Sequence, residues 1–114
     1  MQSFSITAGS IFSGHVWLNS GALFRNPAVL ELEMVTSGPF EVRVYNPGAD
    51  LSSLPVGEAY RANPEGGWHT FHFRQGGEFG AGLPDGDYKI LLVSHLPENL
   101  DRHQIRSGRL VYDV

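Results

Sequence analysis

Apolar and polar residues alternate one by one along residues 29–35 and again along residues 40–45, a period of two that is typical of half-buried β-strands. The apolar positions, which we expect to face the core, are Leu30, Leu32, Met34, Phe40, Val42 and Val44. The stretch between them, Thr36-Ser37-Gly38-Pro39, is short and rich in turn-forming residues, so the pattern predicts an antiparallel hairpin. In that register Glu33 would lie opposite Arg43 on the solvent face, where opposite charges add about 0.2–1 kcal/mol.

Similar patterns predict further short strands at residues 10–18, 23–25, 57–62, 68–74, 88–94 and 108–114. The segment 10–18 carries apolar residues on both faces, so we expect it either to be covered on both sides or to change face at a bulge near Gly14. Trp17 would then be buried or would mark an interface. A helix of one or two turns is predicted only at residues 98–104.

The segment 68–74 separates two kinds of aromatic residue. Alternation sends His69, Phe71 and Phe73 toward the core. The residues on the opposite face are Trp68, Thr70, His72 and Arg74. His69 and His72 therefore lie on different faces, which argues against a shared metal site.

The sequence Leu83-Pro84-Asp85-Gly86-Asp87-Tyr88 resembles the tyrosine corner that is common in immunoglobulin-like and fibronectin-type sandwiches. That motif implies a buried Tyr88 whose hydroxyl bonds to the backbone just upstream. Together with many short strands, it predicts an all-β chain: an antiparallel β-sandwich of seven to nine strands, immunoglobulin-like or jelly-roll-like. A length of 114 residues favours a single domain that spans residues 1–114.

Composition narrows the classes of protein. The chain has no cysteine, so disulfides and cysteine-ligated metals are excluded. A net charge of −4 argues against nucleic acid as a partner, and no apolar stretch approaches the roughly 20 residues that membrane insertion by a helix needs. The first residues show no signal-peptide pattern, which favours a cytoplasmic protein; a secreted or virion-associated chain is the alternative.

Acidic and amide residues collect in two loops that alternation of strand direction would bring to one rim. The members are Asn63, Glu65, Glu98, Asn99 and Asp101. Such oxygen ligands suit calcium, yet no EF-hand spacing is present and surface loops are normally rich in these residues. We therefore expect no metal and no cofactor, and include Asn63, Glu65, Asn99 and Asp101 among the candidate ligand-binding residues.

Motifs of catalysis are missing. The five histidines form no metal signature, although His95 and His103 bracket one loop and could converge. No Gly-x-Ser-x-Gly elbow occurs, and the glycine-rich residues 76–82 lack the Lys-Ser/Thr of a phosphate loop. These observations predict a protein that is not an enzyme, with a hydrolase of unrecognised site as a third hypothesis.

Trp68, His72 and Arg74 form the most suggestive group. An aromatic ring beside hydrogen-bonding side chains can stack on a sugar, and the same residue types anchor protein interfaces. Seven Arg against one Lys also fits a contact surface. The sequence thus predicts a lectin-like module that binds carbohydrate; the alternative is a structural subunit, such as a capsid-decorating or appendage protein, that forms a homo-oligomer through a protein surface.

Overall fold

The structure is a computed structural model, and it describes residues 1–74, 77–80, 82–97 and 102–113. Within these ranges the chain folds into two antiparallel β-sheets that pack face to face around one core. The strands are β1 (Gln2–Ile6), β2 (Ser10–Phe12), β3 (His15–Trp17), β4 (Phe24–Arg25), β5 (Val29–Met34), β6 (Phe40–Tyr45), β7 (Gly57–Arg61), β8 (Gly67–His72), β9 (Asp87–Ser94) and β10 (His103–Tyr112). The predicted all-β sandwich is confirmed.

Ten strands occupy eight positions, because one edge of each sheet is broken into two pieces. In sheet 1 the order is β1-β10-β5-β8, and β2 continues the edge position of β1 alongside β10. In sheet 2 the order is β3-β9-β6-β7, and β4 continues the edge position of β3 alongside β9. The strand number therefore exceeds the predicted seven to nine, while the number of positions falls within it.

The chain moves between the sheets at six of its nine connections, and β6 with β7 is the one hairpin of consecutive strands among the described residues. The predicted bulge near Gly14 is instead such a crossing: β2 pairs with β10 in sheet 1, and β3 pairs with β9 in sheet 2. Gly14 has a φ of 62°, a left-handed conformation that glycine adopts at little cost. Frequent crossing resembles the jelly-roll alternative more than the ABED and CFG sheets of immunoglobulin domains.

The predicted hairpin between residues 29–35 and 40–45 is wrong. β5 pairs with β10 and β8, whereas β6 pairs with β7 and β9 in the other sheet. Glu33 accordingly lies opposite Trp68 and Ser107, and Arg43 lies opposite Glu58 and Leu91. The inward residues of both strands are nevertheless those predicted, because they face each other across the core instead of side by side in one sheet.

The core lies between the sheets and is closed at one end by the tyrosine corner. Tyr88 is buried, and its hydroxyl donates a hydrogen bond of 2.7 Å to the carbonyl oxygen of Pro84. The resemblance seen in the sequence is thus confirmed for this segment. The predicted helix at residues 98–104 is wrong at its end, since His103 and Gln104 begin β10; residues 98–101 lie outside the described ranges.

Trp17 packs on the outer face of sheet 2. Its ring contacts Tyr45 edge to face at 5.1 Å between centroids, and Lys89 Nζ lies 5.1 Å from the indole centroid. Together with Leu91 and Val93 these aromatic rings form a second, smaller apolar cluster. No helix in the described residues is long and apolar enough to cross a membrane.

Candidate functional site

The outer face of sheet 1 carries the largest exposed aromatic side chain on a regular strand. Trp68 lies on β8, where strand alternation turns Phe71 into the core and leaves the indole outside with 57% of its surface exposed. β8 is the edge strand of sheet 1, and its neighbour β5 places Glu33 directly opposite Trp68. The sequence prediction that Trp68 points away from the core is confirmed.

Two acid–base pairs lie beside Trp68 on the same face. Arg106 Nε is 3.8 Å from an oxygen of Glu33, and Arg109 Nη2 is 3.5 Å from an oxygen of Glu31. Arg106 reaches this face because the pairing of β10 with β5 shifts register between Ile105 and Ser107, which leaves Arg106 and Ser107 both exposed. We call the surface formed by Trp68, Glu33, Arg106, Thr70, Glu31 and Arg109 the Trp68 face.

The other two members of the predicted stripe lie farther away. His72 is exposed on the same face, but four residues of strand put it about 13 Å from Trp68 at roughly 3.3 Å per residue. Arg74 follows the end of β8, about 20 Å from Trp68 by the same measure, and pairs with Asp85 at 3.1 Å. One small ligand therefore cannot contact Trp68 and Arg74 together.

The free edge of β8 is covered by two charged side chains. Arg61 Nη2 donates to the carbonyl oxygen of Thr70 at 3.0 Å, and Glu78 Oε1 accepts from the backbone N–H of His72 at 2.7 Å. Arg61 and Glu78 also bond to each other. Burial acts to raise the pKa of Glu78, but backbone hydrogen bonds and Arg61 outweigh it, so that the pKa is lowered. The edge is thereby protected from pairing with another strand.

Two of the rim residues predicted to bind a ligand, Asn63 and Glu65, lie within the described ranges. Asn63 is 2% exposed, and its amide bonds to the protein itself, so its assignment as a ligand-binding residue is wrong. Its polar groups are already used inside the fold. Glu65 is exposed on the same loop. Asn99 and Asp101, like Glu98, lie outside the described residues.

The histidines that bracket residues 96–102 have different surroundings. His103 is fully buried, stacks on Phe12 with ring centroids 5.2 Å apart, and bonds through Nε2 to the carbonyl oxygen of Pro39 at 3.1 Å. His95 is exposed, and its Nε2 lies 3.3 Å from Glu41. Within the described part of the chain, no three His, Asp or Glu side chains are grouped as a metal site would need.

Sequence reasoning missed a polar cluster on sheet 2. The carboxylate of Glu41 is buried although its strand position faces outward, because Arg43 bonds to it at 2.6 Å and His95 lies against it. Sequence reasoning also missed the four charged members of the Trp68 face. The alternation of residues 29–35 did place Glu31 and Glu33 on a solvent face, but their arginine partners lie on β10, which is distant in sequence. Comparisons with protein-family models, curated proteins and solved structures found no match to this chain.

Proposed function

We propose that this chain is a binding module for carbohydrate and that the Trp68 face is its binding surface. The observation that carries the proposal is the exposed indole of Trp68 directly opposite Glu33, with Arg106 at 3.8 Å from that carboxylate. The C–H face of a pyranose ring stacks on an aromatic ring, and sugar hydroxyls both donate and accept hydrogen bonds. A carboxylate and a guanidinium side by side supply the matching acceptor and donor.

The face also suggests the form of the ligand. A second row of Thr70, Glu31 and Arg109 follows the first at two residues along the strand, about 7 Å away. An oligosaccharide lying along β8 would therefore contact both rows. The two carboxylates are balanced by two guanidiniums, which favours a neutral sugar chain over a charged one.

The shape of the Trp68 face favours binding of carbohydrate without its hydrolysis. The Trp68 face is an open sheet surface, and its central residues are exposed to water. Hydrolases enclose the reacting bond so that charge and water are controlled. An open face suits recognition of a polymer.

Self-assembly is the second candidate, because an exposed tryptophan with an arginine nearby is also typical of protein interfaces. In that case Trp68 would be covered by another subunit of the same chain. If the chain binds carbohydrate, loss of the indole abolishes that binding. If the chain self-assembles, the same loss lowers the mass of the assembly.

The test uses Trp68→Ala and the matched control Tyr60→Ala. Tyr60 is also 57% exposed, but it lies on β7 in the other sheet. Affinity electrophoresis in soluble β-glucan, xylan and galactomannan should show retardation of the parent and of Tyr60→Ala, and none for Trp68→Ala. Sedimentation of all three should give one mass. A parent oligomer that dissociates only in Trp68→Ala would establish self-assembly, and retardation of Trp68→Ala equal to the parent would reject the site.

A further inference from the structure

A pocket of about 260 Å³ opens on the side of the sandwich where both edge strands are broken. β1 and β2 of sheet 1 form one wall, and β3 with the 3-10 turn at residues 18–21 forms the other. Leu92 and Ile105, which belong to the buried core, also line it. β1 and β8 are opposite edges of sheet 1, so the pocket is separate from the Trp68 face.

Two turns border this side of the sandwich. Asn19 and Ser20 have φ values of 49° and 56°, a left-handed conformation that residues other than glycine rarely adopt, and they interrupt the edge between β3 and β4. In sheet 1 the turn that includes Gly9, with a φ of 82°, interrupts the edge between β1 and β2. Both turns contribute to the lining of the pocket, Asn19 from one and Thr7 and Ser10 from beside the other.

The lining has a definite chemistry. Nine of the residues around the pocket are apolar, and the other three are Thr7, Ser10 and Asn19; none carries a charge. The hydroxyl of Ser10 donates to the carbonyl oxygen of Thr7 at 2.5 Å. Within the part of the chain that the structure describes, neither the Thr7 hydroxyl nor the Asn19 side-chain amide has such a bond, so both are available to a ligand.

We propose that this pocket binds a small uncharged molecule with an aliphatic body and one hydroxyl or carbonyl group. An engineered cavity of about 150 Å³ holds benzene, so a pocket near 260 Å³ accommodates roughly ten non-hydrogen atoms. The body fills the apolar lining, and the polar group meets Thr7 or Asn19. A charged head group would lose hydration without gaining an ion partner, which selects against it.

The experiment titrates 1-octanol into the full chain and measures binding by isothermal titration calorimetry and by the fluorescence of Trp17, which lines the pocket. A Trp68→Phe background leaves Trp17 as the only tryptophan. Val16→Phe fills the pocket from β3. Val35→Phe is the matched control, because Val16 and Val35 are 39% and 43% exposed but only Val16 lines the pocket. We expect saturable binding at one site, weakened at least tenfold by Val16→Phe and unchanged by Val35→Phe.

Octanoate should bind at least tenfold more weakly than 1-octanol. Partitioning that does not saturate, equal affinity of the two phenylalanine variants, or equal affinity for octanoate would overturn the proposal. If Val16→Phe does not fold, Ile11→Phe takes its place, because Ile11 lines the pocket and is more exposed. A parent dimer that dissociates in the filled variant would assign the pocket to a protein contact and also refute the ligand.

Discussion

Asn63 Oδ1 lies 2.7 Å from Nε2 of His69, and this hydrogen bond joins the loop after β7 to the inward face of β8. The same amide donates through Nδ2 to the carbonyl oxygens of Thr36 and Gly38 at 3.0 and 3.1 Å. Because both of those partners can only accept, Nδ2 is fixed as the donor and Oδ1 as the acceptor, so His69 Nε2 carries the hydrogen. One side chain thus links the connections on one rim of the sandwich.

Asn63→Ala should therefore destabilise the fold strongly. The substitution leaves backbone carbonyls and a histidine N–H without partners in a buried place, at about 1–3 kcal/mol for each group that water cannot reach. Asn63 also has a φ of 50°, which alanine tolerates poorly. Urea titration measures the free energy of unfolding. Asn63→Gly separates the two causes, since it relieves the backbone while still losing the bonds, and Glu65→Ala on the same loop should change stability by less than about 0.5 kcal/mol.

Stability should fall as the pH drops below the ordinary histidine pKa. Burial lowers the pKa of His69, helped by the charge of Arg61, and burial lowers the pKa of His103 despite its bond to Pro39. Between the lowered folded values and about 6.5, the unfolded chain binds more protons than the folded one, so stability rises with pH. The full contribution of the two neutral histidines to the free energy of unfolding is present above pH 6.5. It is lost progressively as the pH falls toward their lowered pKa values in the folded chain.

Urea midpoints at pH 7.5, 6.5 and 5.5 measure this dependence above the range in which carboxylates titrate. His69→Gln should reduce the slope, because it removes one of the two histidines whose pKa burial lowers. A midpoint that is level or rises from pH 7.5 to 5.5 would contradict the assignment.

Tyr88→Phe tests the tyrosine corner in isolation. The change removes the hydroxyl that donates to Pro84 at 2.7 Å and keeps the buried ring, so we expect a loss of about 0.5–1.5 kcal/mol, the usual net value of one hydrogen bond. Tyr60→Phe is the control, since its ring is largely exposed. Equal stabilities of parent and Tyr88→Phe would mean that the corner contributes nothing.

Sequence patterns predicted which face of each strand is buried, but not which strand lies beside it. Alternation within residues 29–35 and 40–45 depends only on where the core is, and it is the same whether the two strands share a sheet or face each other across the sandwich. The segment Thr36-Ser37-Gly38-Pro39 is long enough for either, so loop length did not decide. The tyrosine corner was predictable because its bond spans four residues and is local in sequence.

The Trp68 face was only half predictable for the same reason. Local alternation exposed Trp68, but its nearest charged neighbours, Glu33 and Arg106, come from β5 and β10, which are far from it in the chain. The sequence instead grouped Trp68 with His72 and Arg74, which share its segment yet lie farther along the strand. Sites built from adjacent strands depend on strand order, and strand order was the feature that the sequence left open.

Glu33→Gln gives the sharpest test of the face as a binding surface. The amide keeps the size of the side chain but removes the charge that faces Arg106, so hydrogen bonds to a sugar hydroxyl become neutral ones. Bonds to charged groups are worth about 1.5–3 kcal/mol, against about 0.5–1.5 for neutral ones, so affinity for the polysaccharide that retards the parent should fall roughly tenfold. The free energy of unfolding should change little, since Arg106 is largely exposed and exposed ion pairs contribute about 0–1 kcal/mol. Glu58→Gln, at an exposed position on β7 in the other sheet, should bind as the parent does. If both glutamine variants lost affinity equally, the effect would come from net charge and not from this carboxylate, and Glu33 would have to be removed from the site.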